Sequence, residues 1–144
     1  MTVANPRLLA GAVVTALTGL PGLTVYDGEV DPEPPVMADG TGRVRPYAVV
    51  YGSPGAPHPE EFNPLTVVDL DWMVQVTVAG GYQPDTLQAV HGVRGLLEGR
   101  VIVIAGIACG PLRQVNDPGS IRRDDDEQPP RFYSPLQFQL LAAS

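Results

Sequence analysis

Residues 66–79, TVVDLDWMVQVTVA, alternate with a period of two. Val68, Leu70, Trp72, Val74, Val76 and Val78 are apolar, while Asp69, Asp71, Gln75 and Thr77 between them are polar, with Val67 and Met73 as exceptions. Successive side chains of a strand point to opposite faces, so this pattern predicts one long antiparallel strand with one face on a core and the other outside.

Toward the C-terminus, Gly80-Gly81 breaks the strand and Pro84-Asp85-Thr86 opens a helix with its acid in the first turn, where the helix dipole favours it. Leu87, Val90, Val93, Leu96 and Leu97 form the expected buried stripe, with Gln88, Arg94 and Glu98 off it, and Gly99 stands where a helix-ending glycine belongs. Arg100 to Ala105, RVIVIA, is apolar at both parities and predicts a central strand. Residues 110–115, GPLRQV, can form another short one. Residues 116–130, NDPGSIRRDDDEQPP, are the most polar segment and read as an extended, mobile loop. In the last strand, Arg131 to Leu141, Phe132, Leu136, Phe138 and Leu140 alternate with Tyr133, Gln137 and Gln139. Pro135 has no N–H to give a ladder, which suggests an edge or a bulge.

Toward the N-terminus, Gly52 to Pro64, GSPGAPHPEEFNP, reads as a connecting loop with four prolines. Val44 to Tyr51 is a strand with Pro46 near its start. Residues 29–45 are rich in Pro, Gly and Asp and belong on the surface. Leu23 to Tyr26 is a short strand ended by a turn at Asp27-Gly28. Asn5-Pro6 starts a helix, Asn as N-cap and Pro at the first position, where its missing N–H costs nothing. Leu8, Leu9, Ala12, Val13, Ala16 and Leu17 recur at helical spacing until Gly19, Pro21 and Gly22 stop it. The order α, β, β, long β, α, β, (β), β is α+β. It predicts an antiparallel or mixed sheet of four to six strands with two helices packed on it and long Pro-rich loops, as one domain over residues 1–144.

Composition fits a folded, loop-rich chain. Of 144 residues, 40 are Leu, Ile, Val or Phe, above the roughly 20% below which chains tend to disorder. Pro and Gly together number 32, just under the roughly 25–30% that marks low complexity. The formal net charge is −7, from nine arginines, no lysine and sixteen acids, so there is no basic footprint for gripping nucleic acid. The longest apolar stretch, Leu8 to Leu20, carries Gly and Thr and ends at Pro21, so it does not span a membrane. Arg7 before that run also allows a secretory signal, but the same residues read better as the helix.

No catalytic constellation emerges. There is no G-x-S-x-G and no G-x-x-x-x-G-K. His58 lies between prolines in a loop and His91 is mid-helix, and they do not form a metal pair. Cys109 is the single cysteine, which excludes an internal disulfide and a cysteine zinc site; a small buried residue is its simplest role, as core is for Trp72. Asp69 and Asp71 share a strand face about 7 Å apart. Carboxylates so placed could bind a divalent ion or flank a scissile bond, as in a small metal-dependent hydrolase, although a solvated outer face explains them more simply. The run Asp124 to Glu127 lacks the spacing and the glycine of an EF-hand loop and reads as a solvated loop pairing loosely with Arg122 and Arg123. No cofactor and no metal site are expected. Long loops stiffened by proline on a rigid sheet suit protein–protein docking.

A helix leads to V-Y-D-G (Val25 to Gly28), then a Pro-rich stretch, R-P-Y-A-V-V (Arg45 to Val50), V-Q-V-T-V (Val74 to Val78), L-L-E-G (Leu96 to Gly99), a polar loop and R-F-Y-x-P-L-Q-F (Arg131 to Phe138). This order, over nearly the whole chain, resembles the tail terminator (tail completion) proteins of long-tailed bacteriophages. The resemblance implies a structural protein without enzymatic activity, located in the virion at the neck-proximal end of the tail and in the host cytoplasm during assembly. Such proteins form a six-fold ring, a homohexamer, that caps the tail tube, stops its polymerisation and meets the head–tail connector or neck, while DNA passes through the lumen without specific binding. An acidic subunit suits a wall that should not hold DNA. On this resemblance the exposed strand face with Asp69 and Asp71, and the loops 29–45 and 116–130, the latter with Arg122, Arg123 and Asp124, make the contacts to neighbouring subunits and to the tube. The long 52–64 loop departs from leaner members. A neck or head-closure protein, or a tail tube protein of the same virion, fits the same pattern; a terminator stops at one ring, whereas a tube protein grows filaments.

Overall fold

The structure, a computed structural model, describes residues 3–59 and 68–143. Helix α1 spans Pro6–Thr18; Asn5 caps it, its side-chain oxygen accepting from Arg7 N–H at 3.0 Å. Strands β1 (Thr24–Asp27), β2 (Tyr47–Gly52), β3 (Ala56–Pro59) and β4 (Val68–Gly80) follow. Helix α2 (Gln83–Leu97) precedes β5 (Ala108–Cys109), β6 (Arg113–Gln114), β7 (Arg122–Asp124) and β8 (Arg131–Ala143). Among the described residues these eight strands form one sheet in the order β1-β2-β4-β8-β5, with β3 also on β4 and β6 and β7 also on β8. Only β1 runs parallel to its neighbour among the paired strands described. The fold is α+β with a mixed sheet, as expected, although the strands outnumber the four to six anticipated.

The long alternating strand is the spine. From Leu70 to Gly80 it pairs without interruption with Ala142 back to Phe132 of β8. Its even positions face the helices: Leu70, Trp72, Val74, Val76 and Val78 are all buried. Leu136, Phe138, Leu140 and Ala142 of β8 join them, and Leu9, Val13 and Leu17 of α1 with Val90, Val93 and Leu97 of α2 close the core from above. Thr66 and Val67, expected to begin this strand, lie outside the described residues.

Five expectations need correction. Part of the 52–64 segment is strand: Ala56–Pro59 pairs with Val68–Asp71, so His58 sits opposite Asp69 in the ladder rather than in a loop, and residues 60–64 lie outside the described residues. In α2, Leu87 is half exposed and Thr86 takes the inward position. Its buried hydroxyl is satisfied by donating to Tyr82 C=O at 2.8 Å, so a polar residue costs little there. Residues 100–105 are not a central strand; they form an arm at the margin of the sheet with only isolated bridges, Val101 to Pro111 and Ile104 to Ile107. The 116–130 segment is not all loop, because Arg122–Asp124 pairs with Arg131–Tyr133. Finally, β8 is neither an edge nor bulged: β4 lines one flank and β5, β6 and β7 line the other.

Pro135 falls in the gap between β6 and β7, where β8 lacks a strand partner on that flank. Asn116 fills the gap with its side chain. Its Nδ2 donates to Pro135 C=O at 2.9 Å and its Oδ1 accepts from Gln137 N–H at 2.8 Å, while Val115 N–H donates to Gln137 C=O at 2.9 Å. One carboxamide thus supplies the donor and the acceptor that a neighbouring strand would have supplied. Asn116→Ala leaves both half-buried backbone groups unpaired and should destabilise the domain by about 1–3 kcal/mol. Urea denaturation checks this, and an unchanged midpoint would dismiss the role given to Asn116.

Candidate interaction surface

The helices cover one face of the sheet, and the other face is built from the odd positions of β4 and β8. Gln75 and Gln137 stand opposite each other, and Gln137 Nε2 donates to Gln75 Oε1 at 3.3 Å. Gln75 Nε2 donates to the Thr77 hydroxyl at 3.0 Å, and Gln139 Nε2 donates to the Asp71 carboxylate. Thr77, Gln75 and Gln137 form one linked polar group and Gln139 with Asp71 a second, in line along the middle of the face. Exposed apolar side chains flank it: Met73, Leu141 and, on β2, Tyr51. A row of linked amides between exposed apolar groups resembles the mixed chemistry of protein interfaces more than a reaction centre.

Toward the Arg131 end the face is partly covered by a second apolar cluster, with Val44, Tyr47, Val49 and Ala79 buried and Tyr26, Val30 and Tyr133 packed against them. Tyr26 and Tyr47 meet edge-to-face, ring centroids 5.7 Å apart. Burial first, and then the Asp31 carboxylate, push the Tyr26 phenol above its ordinary value, so it stays protonated. Arg131 lies in this cluster, its side chain only 8% exposed. Its Nη1 donates to the Tyr47 hydroxyl at 2.9 Å, and Nε and Nη2 donate to Pro129 C=O at 3.4 and 3.3 Å. The guanidinium also reaches the exposed Glu127 carboxylate at 3.9 Å. Beside it lies a cleft of about 350 Å³ with Val30, Val49, Tyr51 and Tyr133 in its lining and Asp31, Asp124 and Glu127 as its acids.

The residues singled out from the sequence fall into two separate groups. Asp69 and Asp71 do share the open face of β4, and Asp71 is tied to Gln139. Arg122, Arg123 and Asp124 lie on β7, against the far end of β8. Asp71 pairs with Leu141 and Asp124 with Arg131, so ten strand residues, about 33 Å, separate the groups. Arg123 pairs with Asp125 at 2.5 Å and lies over the Phe132 ring at 5.5 Å, so it is held on the surface rather than free in a loop. Asp124 accepts from Asp126 N–H at 3.0 Å and lines the cleft. Among the described residues no three His, Cys, Asp or Glu side chains gather as ligands for a metal ion. Burial pushes the Cys109 thiol above its ordinary value, the opposite of what a reactive thiolate needs.

Arg131 and the Gln75–Gln137–Gln139 row were not singled out from the sequence. The parity of Arg131 puts it on the outer face, and only the partner it meets there, Tyr47, which is 84 positions away in sequence, explains its burial. The glutamines carried a usable signal, since three of them at outward positions of two long strands can pair across a ladder.

No family model matches the chain, and no curated protein matches it in sequence. Among solved structures it is similar to a chain of the native gene transfer agent (GTA) particle, solved as a virion, at 20% sequence identity with a TM-score of 0.52. The likeness covers 96% of this chain and 90% of the other, and at that identity it is a likeness of fold.

Proposed function

We propose that this chain is a structural protein of a phage-like virion and, within it, the tail terminator. One domain forms a homohexameric ring on the end of the tail tube, stops its growth and presents a surface to the neck, and DNA passes the lumen without specific binding. No enzymatic activity and no cofactor belong to this role. The observation that carries the reading is the shared fold with a virion chain over 96% of this one. The order of features along the chain supports it, as does an open sheet face whose linked amides and exposed apolar groups suit contact with other proteins. Asp69 and Asp71 at one end of the sheet, and Arg122, Arg123 and Asp124 at the other, then belong to contact surfaces with neighbouring subunits, tube and neck.

Native mass measurement and negative-stain imaging of the purified protein test this. A closed ring of six 15.3 kDa subunits, about 92 kDa, without filaments is the expected result. Long filaments would identify a tube protein instead. In the phage itself, removing the protein should give tails of uncontrolled length that do not join heads. Tails of normal length on joined heads would overturn the terminator role.

A further inference from the structure

Residues 100–107 form a short anchored arm after α2. Leu112 N–H donates to Arg100 C=O at 2.8 Å, and Ile107 N–H returns to Ile104 C=O at 3.1 Å around a turn whose Gly106 has φ 81°. A side chain would strain that backbone, and glycine does not. Inward, Ile102 is buried and Ile104 packs against the core. Outward, Val101 is 53% and Val103 91% exposed. The alternation is that of a strand buried on both faces, but only one face is covered. A solvent-facing strand position normally carries a polar residue, and here both outward positions are valine. Leu8 of α1, also exposed, lines the same groove, in which Arg100 is the one charged lining residue among the described residues.

The cleft that Arg131 lines has complementary features: the apolar groups of Val30 and Tyr51, and the carboxylates of Asp31, Asp124 and Glu127, three acids against one guanidinium. The arm runs into β5, which pairs with the last residues of β8, whereas the cleft lies at its first residues. About 35 Å of strand separates them, so one copy cannot bring its own arm to its own cleft.

We infer that the arm of one copy seats in the cleft of the next, Val103 against Tyr51 and Val30 and Arg100 against the three carboxylates. The inference rests on the ring reading above and assigns the contact that builds the ring. A head-to-tail contact between different patches closes into a ring or runs on as a filament, whereas like patches facing each other stop at a dimer. Facing arms would also set Arg100 against Arg100 and leave the cleft empty, and like charges across an interface are disfavoured.

Two variants and their mixture decide the matter. Val103→Asp spoils the arm and leaves the cleft; Tyr51→Arg blocks the cleft and leaves the arm. Both positions are exposed, and circular dichroism confirms the fold of each variant. The wild type should assemble, and each variant alone should associate at least about 30-fold more weakly, as for loss of a central anchor. Mixed in equal amounts, the variants should associate again into dimers and larger even-numbered species, because one intact arm meets one intact cleft and the introduced carboxylate faces the introduced guanidinium at the other contact. A wild type and Val103→Asp that form equal rings would overturn the arm contact while the ring stands. Dimers of wild type that neither variant restores in mixture would mean that like patches pair. A wild type that stays monomeric at high concentration would overturn the inference, and the ring reading would then be tested separately on isolated tail tubes.

Discussion

Trp72→Ala should destabilise the domain by about 3–5 kcal/mol, the usual range for removing a large buried aromatic side chain. Trp72 is fully buried at the middle of the inner face of β4. Its indole N–H donates to Ser53 C=O at 2.9 Å, and the Ser53 hydroxyl in turn donates to Met73 C=O at 2.6 Å and accepts from Met73 N–H at 3.3 Å. The ring therefore fills the core and fastens the chain leaving β2 to the neighbouring long strand. Against a total stability of about 5–15 kcal/mol, the loss approaches the whole of it in a marginal domain. Trp72→Phe keeps much of the buried area and loses the hydrogen bond, so it should cost about 1–3 kcal/mol. Guanidinium denaturation followed by far-ultraviolet circular dichroism measures both, since Trp72 is the single tryptophan and its fluorescence disappears with it. Equal losses in the two variants would mean that packing contributes little.

The second large effect is expected at Arg131. Arg131→Ala strips the Tyr47 hydroxyl of a buried donor and the Pro129 carbonyl of two, at about 1–3 kcal/mol for each group left unpaired. Glu127 is exposed and returns to water, so no orphaned buried charge adds to the loss. Arg131→Lys should recover less than half of it, because a single ammonium cannot span Tyr47 and Pro129 as the planar guanidinium does. A double-mutant cycle with Tyr47→Phe isolates the shared part, and a coupling of about 0.5–3 kcal/mol is expected for contacting residues. Zero coupling would show that the hydrogen bond to Tyr47 contributes nothing. Hydrogen exchange should also accelerate at residues 125–128 in Arg131→Ala, since Pro129 loses its anchor.

Much of the fold can be read from local pattern. The period of two in β4 places every buried residue from Leu70 to Val78, and Asn5-Pro6 marks the start of α1 to the residue. The failures share one physical cause: periodicity reports which side chains are apolar but not what covers them. RVIVIA carries the pattern of a doubly covered strand, yet within one copy only Ile102 and Ile104 find cover. Arg122–Asp124 has no apolar pattern, because β7 is held to β8 by backbone pairing and by Arg123 over Phe132. Pro135 points correctly to a missing ladder partner, but the partner is a side chain, Asn116, which no spacing rule anticipates. The candidate surface is legible only in part for the same reason. The shared face of Asp69 and Asp71 follows from parity, whereas the cleft requires β2, β7 and the 29–45 loop to be brought together.

The uninterrupted pairing of β4 with β8 also sets the time course of synthesis. Gly80 meets Phe132 and Leu70 meets Ala142, so the central ladder joins segments 52 to 72 positions apart in sequence. Contacts of that range pay their loop-closure entropy before they return anything, and they form slowly. On the ribosome, β4 can pair with β2 as soon as both have emerged, but its other flank stays open until residues 131–143 have been made. During that interval a strand rich in valine presents an unpaired edge, the state in which chains stick to one another. The nascent chain is thus most exposed to aggregation just before residues 131–143 emerge, and substitutions that slow the docking of β8 should lower the yield of soluble protein more than equal losses of stability in α1.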